Sequence, residues 1–392
     1  MKIKSFILAA VFTASSVMVF AQKGEVANAK KNYDSFVQLK EANSMPLALP
    51  SLKTAKTAVD KAVANDKTAA DPIAWTYKAL IYGELALLDT VPATSRPLFT
   101  ESQTAHKKAA ELDKDGANKA NLDHVNGALF SQYELNQGVR AYQTNNYADA
   151  FTSFTNALNY RPGDTTITYY AGLSAINSKN YDAGIKNYEE LTKTNFSANN
   201  QIYLDLSRLY SMKGDTAKAI SIAGEGAVKY KDAALATQEI ELSLMSGKQK
   251  EVISKIEAQA QIDPKNKLYP YYLGIAYSTV GDVAKAEESY LKAIAIDPAF
   301  ADANINIGGV MLNKGIALYN EANKLPPSQQ KEYDAGMKKA SAEFDKAFPY
   351  LQKASELDPK SKIALENLKT YYLVKKDNAK VEELSKKIEA LP

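Results

Sequence analysis

The sequence of 392 residues contains no cysteine, only two histidines and almost no excess of either charge. Without cysteine there are no disulfides, no thiol chemistry and no cysteine-based metal sites, so packing alone has to stabilise the fold. His106 and His124 do not form a metal-binding His-Glu-x2-His pattern, and the sequence has no phosphate-binding or dinucleotide-binding glycine loop. We therefore expect no metal, no cofactor and no enzymatic activity, and we expect His106 to be a partly buried structural residue.

Long apolar runs are also scarce, and the one that stands out is amino-terminal. Residues 1–21 begin with Lys2 and Lys4, continue with an apolar stretch interrupted by hydroxyl residues, and end at Ala21. This pattern is typical of a cleaved secretory signal, whereas a spanning helix needs about 20 apolar residues. The sequence predicts export to the bacterial periplasm, with secretion or attachment to the cell surface as alternatives, and no membrane span after cleavage.

The charge balance bears on the kind of partner. Without Lys2 and Lys4, the 48 basic residues fall to 46, against 45 acidic residues. Such a balance argues against nucleic acid or an acidic membrane surface as the main partner. A chain with 45% hydrophobic residues and this length exceeds the roughly 250–300 residues at which one core stops growing. Several domains or a repeat array are expected.

A fixed sequence period of about 34 residues decides between these two possibilities. It relates Asp263-Pro264 to Asp297-Pro298, and three further periods lead back to Arg161-Pro162. Small residues and aromatic residues recur in two further columns with the same period: Ala150, Gly184 and Ala286 in one, and Phe154, Tyr188 and Tyr290 in the other. A fixed period in three columns indicates a repeat array.

Each period has the pattern of a helix pair. Apolar residues recur at spacings of three and four from Tyr271 to Val280 and again from Val283 to Ile296, with Gly281-Asp282 as a turn between them. Such a pair buries only one face, so neighbouring pairs have to stack. The pattern resembles that of the tetratricopeptide repeat family, and it is carried by Leu273, Gly274, Tyr277, Ala286, Tyr290, Ala293 and Pro298.

This resemblance implies an all-α, right-handed superhelical solenoid of helix-turn-helix repeats. The repeats are expected to be divergent over 22–130 and regular over 131–300, with capping helices over 362–392. The two units between Asn199 and Asn266 have few small packing residues, which predicts looser helix packing. In the amino-terminal part, extra chain with Pro92 and Pro97 predicts a hairpin longer than standard.

The repeat over 301–361 carries 27 additional residues and predicts an extended helical hairpin. Its seam follows one helix face through Tyr333, Met337, Ala340, Phe344, Ala347 and Leu351, and Leu325-Pro326-Pro327-Ser328 is the expected tip. Shared evenly, the insertion would lengthen each helix by about 13 residues, or about 20 Å. The hairpin either packs on itself or protrudes as a partner contact.

In proteins of similar sequence, the first helix of each unit lines a concave groove. This resemblance implies partner-binding roles for Tyr142, Tyr169, Asn177, Tyr203, Tyr210 and Tyr271. That face lacks Lys and Arg, which argues against binding of acidic carboxyl-terminal tails. A neutral, tyrosine-rich groove suits an extended or helical peptide with apolar anchors, unless these tyrosines only pack the inner helices together.

The predicted function is that of a non-enzymatic protein-interaction scaffold or adaptor of the bacterial cell envelope. Two alternatives remain open from the sequence. Aromatic faces would also suit a carbohydrate or cell-wall binding protein, and a repeat stack could act as a structural brace of a larger envelope complex.

Overall fold

The computed structural model describes residues 24–391, so the predicted signal at 1–21 lies outside the described residues. Within 24–391 every regular element is helical, and the helices follow one another as antiparallel pairs. The prediction of an all-α fold built from helix pairs is confirmed. The chain divides into two compact units between Asn199 and Asn200.

The first unit contains four helix pairs. The third pair begins early, because α5 continues through a π-helical turn at Val125–Phe130 into α6. In chain order the helices are α1 (24–41), α2 (Met45–Val63), α3 (Pro72–Leu88), α4 (Pro92–Leu112), α5 (Lys119–His124), α6 (Ser131–Gln143), α7 (Tyr147–Tyr160), α8 (Thr165–Asn177) and α9 (Tyr181–Thr192).

The second unit contains five helix pairs, and the first helix of this series begins at the division between the units. These helices are α10 (Asn199–Met212), α11 (Thr216–Tyr230), α12 (Ala233–Met245), α13 (Gln249–Ile262), α14 (Leu268–Thr279), α15 (Val283–Ile296), α16 (Ala301–Ala322), α17 (Gln330–Leu357), α18 (Lys362–Val374) and α19 (Asn378–Glu389).

The turn between α14 and α15 shows how the sequence ends one helix and starts the next. Gly281 has a φ of +84°, a left-handed conformation that glycine adopts without steric cost. The Asp282 carboxylate then accepts a hydrogen bond from the Lys285 backbone N–H at 3.2 Å and caps α15. Gly214 and Asp215 form the same arrangement between α10 and α11.

Close contact between the helices of a regular pair depends on a glycine facing an aromatic ring. In the pair α14 and α15, a Cβ at Gly274 would lie 2.5 Å from Cδ1 of Tyr290, which is 2% exposed. Only glycine therefore allows the ring this position. The same arrangement joins Gly138 to Phe154 and Gly172 to Tyr188. These contacts explain why the aromatic column Phe154, Tyr188 and Tyr290 recurs in the sequence.

The pair α12 and α13 is built differently. Ile240 and Ile256, both buried, stand one period before Gly274 and Tyr290. Two branched side chains replace the glycine and the ring, and α12 and α13 make fewer close backbone contacts than α14 and α15 do. The looser packing predicted between Asn199 and Asn266 is confirmed for this pair.

The extra chain in the amino-terminal part lengthens a helix and not a loop. Pro92 lies in the first turn of α4, where its missing N–H costs nothing, and Pro97 lies within the same helix. As a result α4 has 21 residues, whereas α15 has 14.

The long hairpin consists of α16, with 22 residues, and α17, with 28 residues, joined through a 3₁₀ turn at Pro327–Gln329. The insertion is shared unevenly, because α16 is 10 residues longer than α14 (22 against 12) and α17 is 14 residues longer than α15 (28 against 14). Tyr333 and Met337 near the tip are half-buried, whereas Phe344 and Leu351 are buried. The Phe344 ring lies against Gly315 of α16, so the hairpin packs on itself. A partner contact at its tip stays a prediction.

Candidate functional site

Two of the predicted groove residues meet in the first unit. Asn177 at the end of α8 is exposed, and its Nδ2 donates a hydrogen bond to the Tyr142 hydroxyl of α6 at 3.2 Å. The Tyr142 ring is half-buried and packs edge-to-face on Tyr147 at 5.2 Å between centroids. Burial raises the pKa of Tyr142. The pair therefore presents neutral hydrogen-bonding groups beside an aromatic surface.

Tyr169, also on α8, has most of its ring engaged within the first unit. It stacks on Tyr188 at 6.0 Å with nearly parallel ring planes, and it contacts Phe196 at 5.4 Å. The residue is half-buried. Its ring supports the packing of α8 on α9, and its role in partner binding stays a prediction.

The second unit places Tyr203 and Tyr210 on α10. Tyr203 is 7% exposed and lies against Gly226, where an added Cβ would meet the Tyr203 Cβ at 2.8 Å. This is a packing position, as the alternative interpretation of the tyrosines allowed. Tyr210 is half-buried, and Lys218 Nζ lies 5.9 Å from its ring centroid.

Tyr271 of α14 is half-buried among other aromatic residues. Its ring lies 4.9 Å from Phe300 and 6.0 Å from Tyr290, and its hydroxyl accepts a hydrogen bond from Asn306 Nδ2 at 3.4 Å. Burial raises the pKa of Tyr271. Tyr271 thus joins consecutive pairs of the second unit, and a contact with a partner stays a prediction for this residue too.

His106 has the structural role that the sequence predicts. The ring is half-buried, lies edge-to-face on Phe130 at 5.6 Å, and places Nε2 3.2 Å from the Leu122 carbonyl oxygen. Burial lowers the pKa of His106, so the ring is neutral at pH 7. Within 24–391, no cluster of three or more His, Asp or Glu side chains could hold a metal ion.

Sequence reasoning missed a cleft in the second unit. It has a volume of about 1160 Å³, and we call it the α11–α13 cleft because these two helices form its walls and α12 its floor. It is lined by Tyr203, Ser221, Gly224, Glu225, Ala227, Val228, Lys229, Lys231, Asp232, Ala233, Ala236, Glu239, Ile240, Lys255, Ala258, Gln259, Ile262, Asp263 and Tyr269.

The floor of this cleft is apolar and its rim is charged. Ala236, Ile240 and Tyr269 are buried beneath it, whereas Val228 is 83% and Ile262 is 76% exposed at its edge. Glu239 lies against the bare backbone of Gly224 and pairs with Lys255 across the cleft. The available signal was the presence of Ala233 and Asn266 at the positions where the next repeat has Lys267 and Phe300.

The stacked antiparallel pairs define a helical repeat protein. More specifically, the chain is a tetratricopeptide repeat protein, because two models described as tetratricopeptide repeat match residues 171–236 and 271–300. Proteins of this family are generally non-enzymatic scaffolds that bind other proteins. No curated protein matches the sequence.

Several solved structures of tetratricopeptide repeat proteins are similar to parts of the chain. A protein of Bacteroides fragilis shares 22% identity, with 62% of this chain and 98% of that chain covered and a TM-score of 0.34. The carboxyl-terminal part of a protein of Cytophaga hutchinsonii shares 18% identity over 66% of this chain and 95% of that chain, with a TM-score of 0.47.

Across residues 24–391, none of the helices combines the length and the apolar character that crossing a bilayer requires.

Proposed function

We propose that the protein is a non-enzymatic interaction scaffold of the bacterial cell envelope, which binds a protein or peptide partner along the first helices of its pairs. The observation that carries the proposal is the Tyr142–Asn177 pair. It combines an exposed amide, a phenol hydroxyl and an aromatic surface on two consecutive first helices of the first unit. Such groups hold a peptide backbone by hydrogen bonds and its apolar side chains by contact.

Site-specific crosslinking in living cells tests this proposal. A photoreactive benzoylphenylalanine at Asn177 should capture a defined partner, because the side chain at this position is exposed beside Tyr142. The matched control carries the same group at Thr152, an exposed position on the second helix α7. Capture at both positions, or at neither, would contradict binding along the first helices.

A charge substitution then separates binding from folding. Asn177→Arg should weaken the captured complex at least 10-fold, because it places a full charge on an uncharged face, whereas Thr152→Arg should leave it unchanged. Thermal unfolding followed by circular dichroism should be the same for both variants, since both side chains are exposed.

The envelope location rests on the amino-terminal pattern and has its own test. If residues 1–21 are a signal, the protein purified from the envelope fraction begins at Gln22, and its intact mass lacks those 21 residues. A cytoplasmic protein that retains Met1 would contradict export and would leave the interaction test unaffected.

A further inference from the structure

The α11–α13 cleft can be compared with the equivalent place one repeat later in the same unit. There, Lys267 Nζ lies 2.5 Å from the Asp297 carboxylate and 4.6 Å from the Phe300 ring centroid. The lysine and the ring both lie beside Asp297, at the end of α15. Ile296, the last residue of α15, is 39% exposed.

At the α11–α13 cleft both covering residues are missing. Ala233 and Asn266 stand one period before Lys267 and Phe300, while the carboxylate is kept as Asp263. Asp263 is exposed, and no lysine stands beside it at the position equivalent to Lys267. Ile262, equivalent to Ile296, is 76% exposed. The cleft therefore keeps the carboxylate of Asp263 and the apolar surface of Ile262. It lacks a lysine and an aromatic ring like Lys267 and Phe300 of the next repeat.

Two of the three lysines of the rim are already engaged, and the third, Lys231, is exposed after the end of α11. Lys255 pairs with Glu239, and Lys229 lies over the rings of Tyr203 and Tyr230 at 5.5 and 5.3 Å. At the open end of the cleft, Asp263 is thus left as a carboxylate that a cationic side chain would complement.

The size of the cleft suits a helix more than a small molecule. Its volume of about 1160 Å³ exceeds the roughly 300–1,000 Å³ that is typical of small-molecule sites. Its α11 wall runs from Ser221 to Lys229, about 12 Å at 1.5 Å per residue, which is slightly more than two helical turns. An amphipathic helix presents apolar side chains over this length.

We propose that the α11–α13 cleft binds an amphipathic helix of a partner protein, whose apolar face covers Val228 and Ile262 and whose Lys or Arg pairs with Asp263. The partner would supply the cationic and apolar groups that Lys267 and Phe300 supply within the next repeat. This site goes beyond the proposed function, because second helices form its walls, whereas the Tyr142–Asn177 face belongs to first helices.

The test uses the full mature chain and a synthetic probe. The probe is a fluorescein-labelled helical peptide of about 14 residues, or four turns, with Leu, Ile and Phe on one face and a single Lys at its border. A matched peptide carries Glu in place of Lys. In fluorescence anisotropy the Lys peptide should bind at least 10-fold more tightly, and Asp263→Asn should bring this ratio close to one.

A second variant, called the filled variant, tests whether the peptide binds in the α11–α13 cleft. Ala233→Lys combined with Asn266→Phe copies the covering residues of the next repeat and should weaken binding of the Lys peptide at least 10-fold. Asp297→Asn is the matched control and should leave binding unchanged, because Asp297 lies one repeat away. Asn177→Arg should also leave it unchanged, which separates this site from the Tyr142–Asn177 face.

Four results would overturn the proposal. The first is that neither peptide binds, and the second is that the Lys peptide binds the filled variant as tightly as the unchanged protein. The third is self-association in analytical ultracentrifugation that the filled variant abolishes, which would assign the cleft to a second copy of the chain. The fourth is binding of dodecanoate, abolished by filling, without binding of the peptides, which would assign the cleft to an acyl chain.

Discussion

Two consecutive repeats of the second unit solve the same packing problem in different ways. In α14 and α15, Gly274 lets the two helices approach and the Tyr290 ring fills the space beside it. In α12 and α13, the equivalent positions hold Ile240 and Ile256, and the helices make fewer close contacts. Both solutions bury their side chains, so the choice concerns how closely the backbones approach rather than whether a core forms.

The difference has a consequence at the surface. The regular repeat is closed at one end by Lys267 and Phe300, whereas the looser one has Ala233 and Asn266 there and borders an open cleft. In a repeat array each unit contacts only its neighbours. One repeat can therefore lack the residues that cover its end and present a binding surface there. Contacts between the neighbouring repeats still stabilise the stack.

The largest expected effect comes from placing the isoleucine of the looser repeat in the regular one. Gly274→Ile puts a branched side chain where a Cβ alone would lie 2.5 Å from Tyr290. We expect the free energy of unfolding to fall by about 3 kcal/mol, measured by urea titration, with faster hydrogen exchange in α14 and α15. Ser278→Ile, at a less buried position of α14, should change it by less than about 0.5 kcal/mol.

Replacing Tyr290 by isoleucine as well should recover part of the free energy of unfolding that Gly274→Ile loses. The double variant Gly274→Ile with Tyr290→Ile copies the Ile240–Ile256 pair, so the added side chain gains the space that the ring occupied. A double-mutant cycle should give a favourable coupling of about 1–2 kcal/mol between the two substitutions. If the two effects are simply additive, the isoleucine pair is not a packing equivalent of the glycine and the ring.

Closing the looser repeat should have a smaller effect with the opposite sign. Ala233→Lys with Asn266→Phe should raise the free energy of unfolding by about 1 kcal/mol, since a ring would cover Ile262 and an exposed ion pair adds little. Ala233→Lys alone should contribute less than half of this gain. Urea titration of both variants measures the difference, and a loss of stability would show that the two ends are not equivalent.

The smallest effect concerns the ion pair that closes the regular repeat. The hydrogen bond from Lys267, helped by the Ala299 N–H, lowers the pKa of Asp297. A carboxyl group with a lowered native pKa stabilises the fold above its unfolded pKa of about 3.9, and this contribution is lost as the pH falls through the native pKa. Lys267→Met should raise the pKa of Asp297, which NMR titration measures. An unchanged pKa would show that Lys267 does not close the repeat in solution.

Much of the fold could be predicted because the repeat is local in sequence. The columns through Ala286 and Tyr290 predicted which residues pack, since each period returns the chain to the same place in a helix pair. The lack of small residues before Asn266 predicted the looser repeat for the same reason. The uneven hairpin could not be predicted, because composition does not show where a helix of a long insertion ends.

The candidate sites were less predictable. Tyr169, Tyr203 and Tyr271 occupy equivalent positions, yet Tyr203 is buried against Gly226 whereas the other two are half-buried. Their exposure depends on which side chain the neighbouring helix offers, and a period does not contain that information. Asn177 and Tyr142 were both predicted for the groove, and a hydrogen bond joins them to each other.

The sequence by itself determined the helix pairs, their turns and their order, because capping residues, glycines and apolar spacings act over a few neighbouring residues. The tertiary structure decided which of the tyrosines stay accessible and where the second unit is open. The α11–α13 cleft depends on the distance between two helices that are not consecutive in the chain. That distance follows from the summed volumes of the side chains between them, and a single helix does not determine it.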